Sequence, residues 1–437
     1  MRDILILMIV VPGLFVSLRK PWIGIMLWTW LSLMNPHRYT FGLAYSAPLA
    51  AMTVGTVAIG FLVTKERESP FKGSAVTIFL LLMLWMTASW LLGIDVEKDY
   101  EQWKKVMKID FMILVALSLL HSKKHIFSLA WVVTSSLAIL GIKGGIFTIT
   151  TGGNYRVWGP PGSFIEDNNE FALALVMTIP LLRFLQMQVS SKWGKHGLTA
   201  AMVLCAASAL GSQSRGALLA IVAMSILLWW NGKNKVLSGF ALLITAPLLI
   251  TMMPESWFDR MGTISTYDSD ASAMGRISAW WNAWNLAWHY PFGVGFDPAR
   301  PELFAIYSPY PNLIQAAHSI YFQMMGNHGF IGLGLFLALW IATWRSAAYL
   351  RRESKKTDVA RWCGELGAMC QVSLIGYAVG GAFLSLSYFD LPYNIMVMVV
   401  LTHVWLQKRG WESEPVYTPG WLPIPGLSST KKQIESC

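Results

Sequence analysis

This sequence predicts an all-α protein that crosses a membrane many times, and three observations carry that reading. Of its 437 residues 54% are hydrophobic and only 13% charged, with a mean hydropathy of +0.47, a balance outside the range of ordinary soluble domains. Apolar runs of crossing length recur along the chain, since a helix rising about 1.5 Å per residue needs roughly 20 residues to cross about 30 Å of hydrocarbon. Stretches such as "GALLAIVAMSILLWW" are apolar on every face, whereas a membrane β-barrel alternates over segments of about ten residues. Backbone groups in lipid have to be satisfied within their own segment, so the spans are helices.

Taken in order, spans are expected near 4–18, 21–35, 44–64, 73–93, 104–120, 125–149, 169–187, 197–212, 214–231, 235–253, 326–348, 364–386 and 389–407. The first two are short, so the expectation is 12 or 13 spans. The first apolar run passes through "SLRKPW" into the second without a small-residue cleavage site, which reads as a retained anchor rather than a signal peptide. Four regions follow: helices over 1–253, a large loop over 254–325, helices over 326–407 and a tail over 408–437. Cys205, Cys363, Cys370 and Cys437 form no disulfide framework and no CxxC metal spacing.

Charge sets the expected orientation. "KERESPFKG", "HSKKH", "SSKWGKHG", "NGKNK" and "RRESKKTDVAR" are rich in Lys and Arg, and short basic loops stay in the cytoplasm. The loops "NPHRYTFG", "GIDVEKDYEQW", "TGGNYRVWGPPGSFIEDNN" and the long one from 254 then face outward. The net charge of +10 reads as a topogenic and lipid-headgroup signal, and a nucleic-acid partner is not called for.

The long loop holds Glu255, Asp259, Asp268, Asp270, Asp297 and Glu302 against Arg260, Arg276 and Arg300, near −3 in balance. Within it, Ile277, Trp280, Trp281, Trp284 and Trp288 recur at spacings of three and four, which predicts an amphipathic helix stopped by Pro291 and Gly293. Tryptophan favours the headgroup level, so the helix is expected on or just above the membrane. It could be purely structural, yet Arg276 stands at its start. Arg215 falls between two apolar runs, where charge is costly and marks a pathway or ligand, although a snorkelling side chain would also fit. Arginine's planar fork suits a pair of phosphate oxygens. Arg156, in "NYRVWGPPGSF", is a third candidate on the same face.

In order and spacing, "SQSRGALLA", "GRISAWWNAW", "HYPFGVG" and "HSIYFQMMGNHGFIGLG" resemble the C-terminal region of the O-antigen ligase and polymerase family. His318, Ser319, Gly329 and Gly332 match its last motif, with Tyr321 beside them, while Leu333 departs from the ligase pattern. The opening, from "MRDILILMIVVPG" onward, resembles the O-glycosylation ligases associated with exosortase systems. The resemblance implies a GT-C-like glycosyltransferase of the bacterial inner membrane with its active site facing the periplasm. It would move a glycan from undecaprenyl diphosphate to a sugar hydroxyl of lipid A-core; polymerization of the glycan or transfer to protein would use the same donor.

A lipid-linked donor needs an apolar cavity for its tail, cations for its diphosphate and a base at the acceptor hydroxyl. Arg215, Arg276 and Arg156 are the cation candidates and His318 the base, with inversion at the anomeric carbon expected of direct displacement. No metal or other cofactor is expected. "DSD" at Asp268–Asp270 is a short match to a metal-holding pattern, and "EDNNE", Glu166–Glu170, reads as a helix cap. HExxH is absent, and His318 and His328, ten residues apart at about 100° per residue, fall on different faces of a helix. His289 reads as structural. A transporter would show internal repeats with broken helices, and none is apparent.

Overall fold

The computed structural model of the protein describes residues 2–231, 255, 258 and 271–414, which are helical and contain no strand. The first half runs through α1 (Arg2–Arg19), α2 (Pro21–Met34), α3 (Leu43–Ser46), α4 (Leu49–Val63), α5 (Ser74–Leu91), α6 (Val96–Leu119), α7 (Lys123–Thr150), α8 (Asn168–Gln188), α9 (Lys192–Gly211) and α10 (Arg215–Asn231). After it come α11 (Ala271–His289), α12 (Pro301–Tyr307), α13 (Ile320–Glu353), α14 (Arg361–Gly380), α15 (Asp390–Gln407) and α16 (Gly410–Ser413).

Local chemistry explains most of the starts. Asp95, Ser122, Asp167 and Ser191 each accept a backbone N–H from the first turn of α6, α7, α8 and α9, satisfying donors that a helix start leaves open. Pro21 stands at the first position of α2, where its missing N–H costs nothing, and Asn35 ends that helix in a left-handed conformation.

Five described helical segments are long and apolar enough to cross a membrane: Ser74–Leu91, Lys123–Thr150, Asn168–Gln188, Ile320–Lys356 and Asp358–Phe383. Pro21–Met34, Leu49–Val63 and Arg215–Leu227 are apolar but shorter. The chain is a multi-pass membrane protein. Several boundaries differ from the sequence expectation; α9 starts five residues early at Lys192 and α14 ends at Gly380, six residues before 386. The run expected as one span over 44–64 breaks at Ala47 and Pro48 into α3 and α4, because proline supplies no backbone donor there. α6 starts well before 104, its polar first turns held by the Asp95 cap and a Glu101–Lys104 pair at 2.5 Å. α13 starts six residues before 326 and breaks at Gly329. The expected span over 235–253, the "DSD" stretch and Cys437 lie outside the described residues.

α8 and α15 occupy the middle of the bundle, with long stretches buried on all sides. α7 and α9 pack closest through small residues. A Cβ on Gly141, Gly144 or Gly145 would collide with Cys205, Ser208 or the Leu204 backbone, and one on Gly211 would strike Thr148. Lipid tails are as apolar as leucine, so such close van der Waals contact, rather than water exclusion, holds neighbouring helices together. Enlarging Gly145 would push α9 away and shift the turn that follows it at 212–214.

The loops gather at two ends of the bundle. At one end Asp3 accepts the N–H groups of Gly42 and Ala44, the Ile94 N–H donates to the Val294 carbonyl, and Arg156 donates to Gln213. Buried Arg300 reaches Asp99 at 2.8 Å and Asp95 at 3.7 Å, tying the loop before α12 to α6. At the other end Glu68 meets Lys408 at 3.2 Å, Gln188 donates to Glu365 at 2.6 Å, and the Lys123 N–H donates to Glu414 at 2.9 Å. This second end carries the basic loops, and the positive-inside rule predicts that it faces the cytoplasm. Single cysteines replacing exposed Glu302 and exposed Lys355, in a background with the native cysteines changed to alanine, should therefore label from opposite sides of spheroplasts. Labelling of both from outside would overturn this orientation.

Candidate functional site

His318 sits at the end of the first of these faces, two residues before α13. Its φ of 42° puts a non-glycine residue in the left-handed region, a conformation that costs about 1–3 kcal/mol and persists only where the surroundings enforce it. Those surroundings are visible. The Trp280 indole N–H donates to the Ala317 carbonyl at 2.8 Å, Trp280 stacks on Phe322 at 4.9 Å, and the Ser319 carbonyl accepts the Gln323 N–H as α13 begins. Tyr321 donates to the Ala378 carbonyl at 2.7 Å, fixing the first turn of α13 to α14.

α11 brings the arginine. Ser278, Ala279, Asn282, Ala283, Leu286 and Ala287 form its buried side, against α13 and the chain around α12, while Trp281, Trp284 and Trp288 are exposed. Arg276 lies one turn before Trp280, so the indole that anchors Ala317 also sets the arginine beside the histidine. Burial holds the His318 imidazole below its ordinary value of 6.5, the Arg276 charge lowers it further, and Asp167 opposes both. Burial and the Arg276 charge thus both favour the neutral ring, the form able to accept a proton.

Asp167 was legible in the sequence only as a helix cap, and it is one: its carboxylate accepts the Asn169 N–H at 2.8 Å. It is also the acid whose charge reaches His318. Burial would raise it, but the neighbouring Glu170 carboxyl, the Asn169 donors and His318 together hold it below the usual carboxylate range. Glu170 is buried behind it, and its Oε2 has no hydrogen-bond partner among the described residues. The acidic cluster Glu166–Glu170 is the sequence signal for Asp167, and helix capping accounts for that cluster by itself.

The other two arginines belong to the adjoining turn. Asn168 donates to the Ser212 carbonyl at 2.6 Å, which joins the start of α8 to the turn between α9 and α10. Gln213, with φ 59°, accepts from Arg156 at 3.3 Å and precedes Arg215 by two residues. Arg215 is the first residue of α10, half-buried; the next residue, Gly216, lies against Phe383, and Gly381 lies against Ile320. The start of α10 and the start of α13 thus meet across the turn after α14. Arg156 is exposed and lines a cavity of about 180 Å³ with Lys143, Tyr39 and Trp158.

His328 has a different setting. It is fully buried, with Nδ1 2.9 Å from the Ser89 hydroxyl and Nε2 2.7 Å from the Tyr388 hydroxyl. Gly329 follows with φ 68° and ψ −173°, and a Cβ there would stand 2.7 Å from the Pro291 carbonyl. Its neighbour Asn327 uses one carbonyl to accept from Ser89, Val294 and Gly295. A Cβ on Gly332 would strike His328 and crowd Trp85. The motif glycines therefore break α13 and seat the preceding loop on it. His289 hydrogen-bonds within its own helix, Nδ1 2.8 Å from the Asn285 carbonyl. The Ser319 hydroxyl is buried and has no hydrogen-bond partner among the described residues. No group of three or more His, Cys, Asp or Glu able to hold a metal occurs among the described residues.

Asp167→Asn separates the two duties of that residue, because asparagine caps a helix as well as aspartate. If the carboxylate charge steadies a protonated His318, the variant should melt with the parent and lose about ten-fold in turnover, about 1.4 kcal/mol. Parent turnover in Asp167→Asn would confine the residue to capping.

No curated protein matches the chain. Residues 1–190 match a family of unknown function, and residues 200–337 match the family described as O-Antigen ligase. The second match begins within α9 and runs into α13, so it takes in Arg215, Arg276, His318, Gly329 and Gly332, and this region of the chain is a domain of the O-antigen ligase family.

Proposed function

We propose that this protein is an O-antigen ligase of the bacterial inner membrane, transferring a glycan from undecaprenyl diphosphate to a sugar hydroxyl of lipid A-core at the periplasmic face. The observation that carries the reading is the conjunction of a partly enclosed imidazole, held below its ordinary pKa, with an arginine at one loop-covered end of a membrane bundle. The family match supports glycan ligation or polymerization as the class of chemistry.

In this mechanism the diphosphate lies against Arg276 and Arg215, with Arg156 at its outer edge, and the polyprenyl tail enters the bundle between apolar helices. His318 removes the proton from the acceptor hydroxyl as its oxygen attacks the anomeric carbon. The bond from that carbon to the diphosphate oxygen breaks, and the growing negative charge is met by the guanidinium groups. The resulting imidazolium is steadied by Asp167. Attack opposite the leaving group inverts the anomeric centre. The 12 or 13 spans and the GT-C-like architecture belong to this reading, with the regions 1–253, 254–325, 326–407 and 408–437 as its parts.

A second reading, polymerization or protein O-glycosylation with the same donor, draws on Leu333, which departs from the ligase motif, and on the opening of the chain. The test offers purified protein a defined undecaprenyl-diphosphate glycan with lipid A-core, a second lipid-linked glycan or an acceptor protein, each with and without chelator. Lipid A-core should gain the mass of the glycan at a rate the chelator leaves unchanged. Gain only on another acceptor would select the second reading, and activity lost to chelator and restored by manganese or magnesium would replace the arginines with a metal.

A further inference from the structure

At the basic end of the bundle, opposite His318, α5, α13 and α15 surround a half-open cavity of about 750 Å³. Lys72, Lys408 and His403 line it together with the apolar Phe71, Val400 and Val404. The Lys72 side chain is only 7% exposed, 3.1 Å from Glu68, and the same carboxylate lies 3.2 Å from Lys408. One carboxylate therefore serves two ammonium groups, and the wall keeps an excess of positive charge. Lys72 Nζ, buried as it is, makes no hydrogen bond of ordinary geometry among the described residues, although an ammonium carries three donors.

Backbone donors add to this. Gly73, at φ 104°, precedes α5 without a side-chain cap, so the N–H groups of Ser74 and Ala75, both in the cavity lining, have no acceptor within the helix. Such a helix start favours negative charge. Burial lowers Lys72 below the ordinary ammonium range even with Glu68 beside it, a cost that a second anion would offset. Phe71 leaves 67% of its surface exposed at the rim, next to the ends of membrane helices, where a free phosphate would have no use for it.

We propose that this cavity binds the phosphate of an anionic phospholipid from the leaflet at the basic end, its oxygens held by Lys72, Lys408 and the start of α5. Its acyl chains lie along Phe71, Val400 and Val404. The site is separate from the transfer chemistry and stands without it.

Native mass spectrometry of the full-length protein, titrated with phosphatidylglycerol or phosphatidylcholine, tests the proposal. Phosphatidylglycerol should be retained about ten-fold more tightly. Lys72→Gln with Lys408→Gln should remove that preference, and Arg361→Gln, an exposed change outside the cavity, should leave it intact. Should the double variant fail to fold, Lys408→Gln alone, at a side chain 61% exposed, and Ser346→Phe, which fills the cavity from α13, should each weaken phosphatidylglycerol several-fold. Equal retention of the two lipids, or a preference unchanged by these substitutions, would overturn the site. Displacement of phosphatidylglycerol by micromolar inorganic phosphate or glycerol phosphate would overturn the lipid as its occupant.

Discussion

His318→Ala should insert, fold and bind the lipid-linked donor, yet transfer glycan at least about 10²-fold more slowly, the range in which a positioned general base contributes. The side chain is not part of the packed core: it lies in the loop before α13, held in place by contacts made through its neighbours Ala317 and Ser319. His328→Ala should behave in the opposite way. That ring is fully buried between Ser89 and Tyr388, so its loss removes one hydrogen bond from each hydroxyl, leaving each with Asn327 alone, and opens a cavity, at about 2–5 kcal/mol. The measurement is acceptor glycosylation at matched folded protein, with donor binding followed separately. Comparable turnover in His318→Ala and the parent would remove the base; a selective loss of turnover in stable His328→Ala would move it ten residues along the chain.

Arg276→Ala should cost about 10²–10³ in turnover, the size found when one preorganized donor to a developing anion is deleted. Arg276→Lys should recover only part, because an ammonium keeps the charge and loses the two-pronged geometry toward phosphate oxygens. The position makes this arginine the more sensitive of the two near the chain's matched motif: α11 is fixed by its buried face and by Trp280, so a shorter or differently shaped cation cannot be carried inward by a mobile backbone. Arg215→Ala should fall in the same direction. Full activity in Arg276→Ala would take that residue out of the diphosphate site.

Much of the helical layout is readable from hydropathy because lipid imposes one rule on every span. Where the rule is satisfied by other means, the reading slips. α6 extends through "VEKDYEQWKK" because a cap and charge pairs stabilise a polar turn that hydropathy rejects. The break at Gly329 depends on the Pro291 carbonyl lying across the helix, a contact between distant segments that no local pattern contains. The candidate site divides in the same way. Arg276 and His318 stand out because charge and imidazole are rare in such a chain, and the tryptophan periodicity of α11 is plain. Asp167 is hidden because its local duty as a cap is complete in itself, and only the fold brings it to His318. The tryptophan stripe of α11 is divided: Trp280 stacks on Phe322 and Trp284 and Trp288 meet Phe330 edge-on, beside the small residues Ala283 and Ala287 that let α13 approach, while Trp281 is exposed.

The pH dependence of kcat/KM tests the central claim most directly, since it reports the ionization of groups in the free enzyme. A general base has to be neutral, so the rate rises with pH through its pKa, and burial with Arg276 beside it sets that of His318 below 6.5. The parent should show an acid limb with its inflection below 6.5, and Arg276→Gln, at lower overall rate, should move the inflection upward by removing the neighbouring charge. Arg276→Lys, which keeps the charge, should leave it near the parent's. An acid limb that stays in place in Arg276→Gln, or one that lies above 6.5 in the parent, would contradict His318 acting as the base beside Arg276.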